Sequence, residues 1–252
     1  MTRTAFKARL YVPDNLAMGM SIIPNRNQQH YLASVMRLVT GDIVALFNGV
    51  DGEWRAAIQS IDRRSCSLDV IAQTRPQQDS PDLWLLFAPV KKARLDFIAQ
   101  KASEMGASVI WPTRTDFCQV TRVNDDRLTA NAIEAAEQTE RLDIAEIRDF
   151  APLNDVLAAV SKDRLLIWCD EASAVKGDRN AVSVFAVHTK PESAAILIGP
   201  EGGFSENERR ILDQRENCLK VSLGPRILRA DTAAIAALTC FQSVYGDWPG
   251  IT

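Results

Sequence analysis

The chain has 252 residues, enough for two modest domains that each bury a core. Its 46% apolar and 24% charged residues are the balance of a water-soluble globular protein, and no run approaches the ~20 apolar residues of a membrane helix. A net charge of −3 argues against a generic nucleic-acid coat, yet residues 1–75 hold nine Lys/Arg against six Asp/Glu while the remainder holds 20 against 26.

Other classes fall to residue types. The opening "MTRTAFKARLYVP" is basic but lacks the apolar core of a signal segment. Cys66, Cys118, Cys169, Cys218 and Cys240 lie far apart without a CxxC, as free thiols do in a reducing cytosol, so a cytoplasmic protein is expected. Two histidines, His30 and His188, argue against a zinc site, and no metal is expected. Within the first 41 residues Arg3, Lys7, Arg9, Arg26 and Arg37 face only Asp14. That is the footprint of a small phosphate-contacting module on an acidic body, with an ordinary charged surface as the alternative.

In chain order, "ARLYV" (8–12), "DIVALF" (42–47), "EWRAAIQSI" (53–61) and "SCSLDVI" (65–71) have strand character. Asn48-Gly49 and Asp51-Gly52 are strong turn dipeptides and predict a hairpin over 42–61. One helical segment, "NQQHYLASVMRL", interrupts the strands, so residues 1–75 read as a small, mostly β, barrel-like domain. "QTRPQQDSPD" (73–82) is polar and unperiodic, a linker.

From residue 76 onward strands and helices alternate. Strand 83–88 leads to a helix over 94–105 that Gly106 is placed to end. Strand 108–112, helix 125–139, a short helix near 153–160, strand 164–169 and a polar loop come next. Strand 194–199, helix 205–214, strand 220–223 and helix 231–244 complete the series. Repeated β-α units predict a mostly parallel sheet with helices on both faces, and ligands bind such sheets at the carboxyl ends of the strands.

Two strand ends are built alike. "ILIGPEGGFSENE" (196–208) and "VSLGPRILRADTAAIAAL" (221–238) each run strand, Gly-Pro, helix. Proline stiffens such a turn and glycine lets backbone or ligand approach, so two of them at neighbouring strand ends would wall a slot. Neither GxxxxGK[ST] nor GxGxxG is present. Ser205 invites comparison with a hydrolase nucleophile, but Ser205-Glu206-Asn207-Glu208 is a capping box and GxSxG is missing.

Together the two loops closely resemble the RsmE family of ribosomal RNA methyltransferases, of the SPOUT class. "HYLASVMRLVTGDIVALFNG", "KKARLDFIAQKASEMGAS" and "EAAEQTER" extend the resemblance over nearly the whole chain. It implies a PUA-like RNA-binding domain over 1–75 and a SPOUT methyltransferase domain over 76–252, with a deep trefoil knot within about 165–245. It also implies a homodimer, S-adenosyl-L-methionine as donor, and N3 of a uridine in 16S rRNA of the small ribosomal subunit as acceptor. The alternatives are a related RNA methyltransferase with another target and a non-catalytic rRNA-binding assembly factor.

That donor carries a sulfonium and an ammonium but no phosphate, which suits a glycine loop holding Glu201. The resemblance places Leu197, Gly199, Pro200, Glu201, Gly202, Gly203, Leu223, Gly224, Ile227 and Leu228 around the donor, with plain core as the alternative for Ile227 and Leu228. Arg229, Asp231 and Thr232 are the expected catalytic residues. A guanidinium against the uracil oxygens would favour the anionic base, and easing its ionisation about a thousand-fold is worth roughly 4 kcal/mol. Asp231 then orients Arg229, accepts the proton, or simply caps the last helix. Arg9, Arg37 and Lys91 are the expected RNA contacts. Asp231 stands where the family usually has Glu, and Phe117 and Glu140 stand where Arg and Gly are expected.

Overall fold

The computed structural model describes residues 6–62, 65–90, 92–170 and 180–248, which form two compact units. The first runs to Asp79 and also takes Ala136–Ile144, a segment the sequence places in the second domain; the second takes Ser80–Ala135 and everything from Ala145 onward.

In the first unit, strands β1 (Arg9–Tyr11), β2 (Ser21–Ile22), β3 (Ile43–Phe47), β4 (Glu53–Ile61) and β5 (Cys66–Arg75) form one sheet in the order β1-β3-β4-β5-β2. β3 and β4 pair antiparallel as the predicted hairpin, while β1 runs parallel to β3. The expected barrel is thus a mixed sheet whose hydrogen-bonded path ends at β1 and β2. At Gly52, with φ 78°, an added Cβ would lie 2.3 Å from the Arg75 carbonyl oxygen, so the turn has no room for a side chain. Helix α1 (Arg26–His30) starts on a capping box of Asn25 and Gln28 and continues as a π-helical turn over Tyr31–Val35. Leu10, Leu32, Val44, Leu46, Ile58 and Leu68 fill the core. Phe47 packs with Ala136 and Leu142, and the Tyr11 N–H donates to Glu137 Oε1 at 2.9 Å, which makes 136–144 part of this unit.

The second unit contains β6 (Leu83–Phe87), α2 (Lys92–Glu104), β7 (Val109–Arg114), α3 (Asp125–Thr139, whose last residues fall in the first unit) and β8 (Glu146–Ile147). Next come β9 (Ala151–Pro152), α4 (Leu153–Ala159), β10 (Leu165–Cys169) and α5 (Ala181–Val187). β11 (Ala194–Ile198), α6 (Glu206–Asp213), β12 (Cys218–Val221) and α7 (Ala230–Val244) complete it. Its sheet has the order β12-β10-β11-β6-β7-β8, with every pairing parallel and β9 beside β7. β11 is buried at all five positions, as a strand covered by helices on both faces must be. α7 packs on α2 and α5, with Phe185 of α5 against Phe241 of α7. The buried Gln242 of α7 donates from Nε2 to the Met105 carbonyl at 2.7 Å, just before Gly106 ends the α2 segment at φ 80°.

The knotted threading expected within 165–245 passes through 171–179, which lie outside the described residues. Among the described residues no helix is long and apolar enough to cross a membrane.

Glu140 follows α3 at φ 61°, in the left-handed region where a Cβ is penalised. Its carbonyl accepts from Arg75 Nη1 at 3.0 Å, a bond independent of the side chain. Glu140→Gly is therefore expected to raise unfolding stability by about 0.5–1 kcal/mol in urea titration. An unchanged or lower midpoint would show that the carboxylate contributes more than the backbone costs.

Candidate functional site

Strands β10, β11 and β12 end level, with Cys169 beside Ile198 on one side and Val221 on the other. The two Gly-Pro turns were expected at neighbouring strand ends; instead β10 stands between β11 and β12. The intervening strand is what opens the slot. It separates the turns by two strand spacings, about 10 Å, and leaves the end of β10 beneath a ligand. A solvent-open cleft of about 60 Å³ lies there. Cys169 and Asp170 line it from β10; Ile198, Gly199, Pro200, Gly203 and Phe204 line it from the β11 turn. Leu223, Gly224, Arg226 and Leu228 come from the loop after β12, and Ala230 and Ala233 from α7.

The β11 turn is fixed from several sides. The Gly203 N–H donates to the Pro200 carbonyl at 2.8 Å, with Gly203 at φ 69°. A Cβ on Gly199 would meet the Phe204 ring at 2.7 Å, and that ring stands edge-on to Trp168 at 5.7 Å. Glycine at 199 thus lets the aromatic fold the loop onto the core. Ser205 makes the predicted capping box: its N–H donates to Glu208 Oε2 at 2.8 Å and its hydroxyl accepts from the Glu208 N–H at 3.3 Å.

Charge is arranged beneath and beside the cleft. The nearly inaccessible Asp170 carboxylate pairs with Arg209 Nη1 at 2.9 Å and Lys220 Nζ at 3.2 Å, and both cations lie near the Trp168 ring. Arg209 Nε also donates to the Phe204 carbonyl at 3.1 Å, tying α6 back to the turn. Desolvation pushes the Cys169 thiol far above its ordinary value, so it lines the cleft as a neutral group. At the rim, Arg94 of α2 bridges the β11 turn and the first turn of α7: Nη1 lies 3.5 Å from Glu201 Oε1 and Nε 3.6 Å from Asp231 Oδ2.

Of the residues expected around the donor, Gly199, Pro200, Gly203, Leu223, Gly224 and Leu228 line the cleft. Leu197 is wholly buried in the core cluster of the sheet, and Glu201 and Gly202 are exposed. Ile227 is 81% exposed, which removes the plain-core alternative for that residue, and it does not line the cleft. Arg229 occupies the N-cap of α7 with no side-chain cap bond; it is exposed, and its guanidinium has no partner among the described residues. Asp231 lies in the first turn rather than at the cap, accepting from the Thr232 N–H at 2.9 Å. Its carboxylate faces Arg94, so the structure does not show it orienting Arg229.

The expected RNA contacts fare unevenly. Arg9 is committed to the protein: Nε donates to Glu53 Oε2 at 2.9 Å, Nη1 to the Ala136 carbonyl at 2.7 Å and Nη2 to the Arg141 carbonyl, with the guanidinium over the Phe47 ring. A cation held this fully holds the first unit together and is not offered to a phosphate. Arg37 is exposed at φ 53°, and Lys91 lies outside the described residues. Sequence reasoning passed over Asp170, Phe204, Arg226 and Arg94. Asp170 carried a usable signal, since it immediately follows a strand of a parallel sheet. Arg94 carried none, because its partners are over a hundred positions away.

Residues 77–242 match the RNA methyltransferase domain family, and residues 23–71 match the RNA methyltransferase PUA domain. The chain is 33% identical to the ribosomal RNA small subunit methyltransferase E of Rickettsia conorii, across 91% of this chain and 93% of that one. It is 29% identical to the protein of the same name from Bacillus subtilis, across 84% and 86%. A Legionella pneumophila protein solved with the cofactor SAM bound superposes with a TM-score of 0.84 at 28% identity, covering 96% of this chain and 99% of that one. With the paired domains, the full-length relatives and the cleft at the strand ends all in place, the chain belongs to the ribosomal RNA small subunit methyltransferase E family.

Proposed function

We propose that this protein transfers a methyl group from S-adenosyl-L-methionine to N3 of a uridine in the 16S rRNA of the small ribosomal subunit. The observation that carries it is the cleft over β10: a glycine turn with no lysine, a rim glutamate and apolar walls, in a chain of this family. Its residues fit the donor. Leu223, Leu228 and Ala233 offer apolar surface to an adenine, Arg226 can meet a carboxylate, and Glu201 favours positive charge where a phosphate would be repelled. The bound donor supplies an electrophilic methyl carbon on a positively charged sulfur.

The chain's own residues supply the rest. Arg229, uncommitted at the start of α7, is placed to set its guanidinium against the uracil oxygens and so favour loss of the N3 proton. Asp231, held at the first turn of α7 by Arg94 and the Thr232 N–H, is the candidate acceptor of the departing proton. Holding the two reactants in line contributes roughly 7–11 kcal/mol in favourable cases. RNA backbone is met by Arg37 on the first unit and by Lys91. The enzyme acts in the cytoplasm as a homodimer.

Small subunits lacking the mark, incubated with protein and cofactor, are expected to gain one N3-methyluridine by nucleoside mass spectrometry. A methyl group on ribose or on another base would redirect the assignment to a related methyltransferase. Calorimetry that detects no cofactor binding would favour the non-catalytic assembly factor.

A further inference from the structure

We infer that Phe117 is a stacking platform for an unpaired RNA base next to the target nucleotide. The inference rests on the RNA methyltransferase reading above and deepens it. Phe117 lies in the loop after β7, at the same end of the sheet as the donor cleft, two strands away from β11. The residue is 51% exposed, so it leaves aromatic surface open to a base at this end of the sheet.

The loop is latched to the donor turn at two points. The Asp116 N–H donates to Glu208 Oε1 at 2.8 Å, and the Ser205 hydroxyl donates to Asp116 Oδ2, so the capping box of α6 also holds residue 116. Phe117 itself covers Gly202: a Cβ added there would lie 3.3 Å from the Phe117 Cβ. The ring is therefore fixed relative to the turn that lines the donor cleft, as a base-positioning surface must be.

Its surroundings suit a nucleotide. An open groove of about 330 Å³ runs along residues 114–118 and is lined by Arg114, Asn154 and Asn207 among others, though not by Phe117 itself. Arg114 is exposed, its guanidinium 5.9 Å from the Phe150 ring, so one cation at the groove is available for phosphate. The groove's two carboxylates, Asp116 and Glu208, are already engaged by the capping box. Asn154 and Asn207 present amides of the kind that read base edges.

The test pairs a binding readout with a kinetic one. An RNA oligonucleotide spanning the methylated site carries 2-aminopurine at each position flanking the target in turn. With wild-type protein, quenching is expected at one flanking position, and Phe117→Ala should abolish it. The variant should also raise the KM for unmethylated small subunits by about ten-fold or more, as loss of one stacked base does, while the dissociation constant for S-adenosyl-L-methionine stays within about two-fold. Phe117→Trp and Phe117→Tyr should restore both readouts, whereas Phe117→Leu, apolar but without a π face, should not. If leucine serves as well as tryptophan, or if alanine leaves KM and quenching unchanged, the platform is wrong. A drop in oligomeric mass on alanine substitution would assign the ring to a subunit contact and overturn it equally. Quenching needs no turnover, so a protein that stacks the base but transfers no methyl would sink the proposed activity and spare the platform.

Discussion

Replacing Arg229 with alanine is expected to slow single-turnover methyl transfer by about a thousand-fold. That is the ~4 kcal/mol by which the guanidinium would ease ionisation of the imide nitrogen. The guanidinium makes no cap bond and has no partner among the described residues, so its removal should leave folding intact. A rate loss would then report on the substrate rather than on stability. The pH profile sharpens the test. If Arg229 acts by favouring the anionic base, the alanine variant should keep gaining rate with rising pH after the wild type has levelled off. Arg229→Lys keeps the charge but loses the planar fork, and should fall between the two. Full single-turnover rate in the alanine variant would remove Arg229 from the mechanism.

Asp170→Ala should lower the stability of the second unit by about 2–3 kcal/mol. The carboxylate is 1% exposed and neutralises Arg209 and Lys220 together. Removing one member of a fully buried pair costs roughly 3–5 kcal/mol, and the partial exposure of both cations argues for the smaller figure. Chemical denaturation checks this, and the loss should fall mainly on Arg209, because Lys220 keeps Asp213 Oδ1 at 3.5 Å. Arg209, released from its partner, would also loosen its bond to the Phe204 carbonyl, so donor affinity should weaken in parallel. Unchanged denaturation would mean that the pair is solvated well enough to be dispensable.

Much of the architecture was legible wherever the signal was local. Helix α3 and strand β4 match their predicted spans residue for residue, because acidic first-turn residues mark the helix and the Asp51-Gly52 turn marks the start of the strand without reference to the rest of the chain. The short α5 lay hidden after a polar stretch, with only Ala181 and Phe185 buried. β2, β8 and β9 have two residues each, too few to show alternation. Both halves of the donor cleft were visible as Gly-Pro turns. The strand between them was not, because strand order is decided by long-range packing that no window of sequence contains. The same holds for Arg9, whose charge suggested phosphate while its partners at Glu53, Ala136 and Arg141 lie up to 132 positions away.

The discontinuity of the first unit bears on how the chain matures as it is synthesised. Phe47 and Arg9 find part of their cover in residues 136–144, so the first seventy-nine residues leave the translating machinery with part of their interior unroofed. Completion of the leading module waits until more than sixty further residues have emerged. A dissection that severs the chain at the apparent linker would hand the experimenter a lidless sheet rather than an autonomous domain.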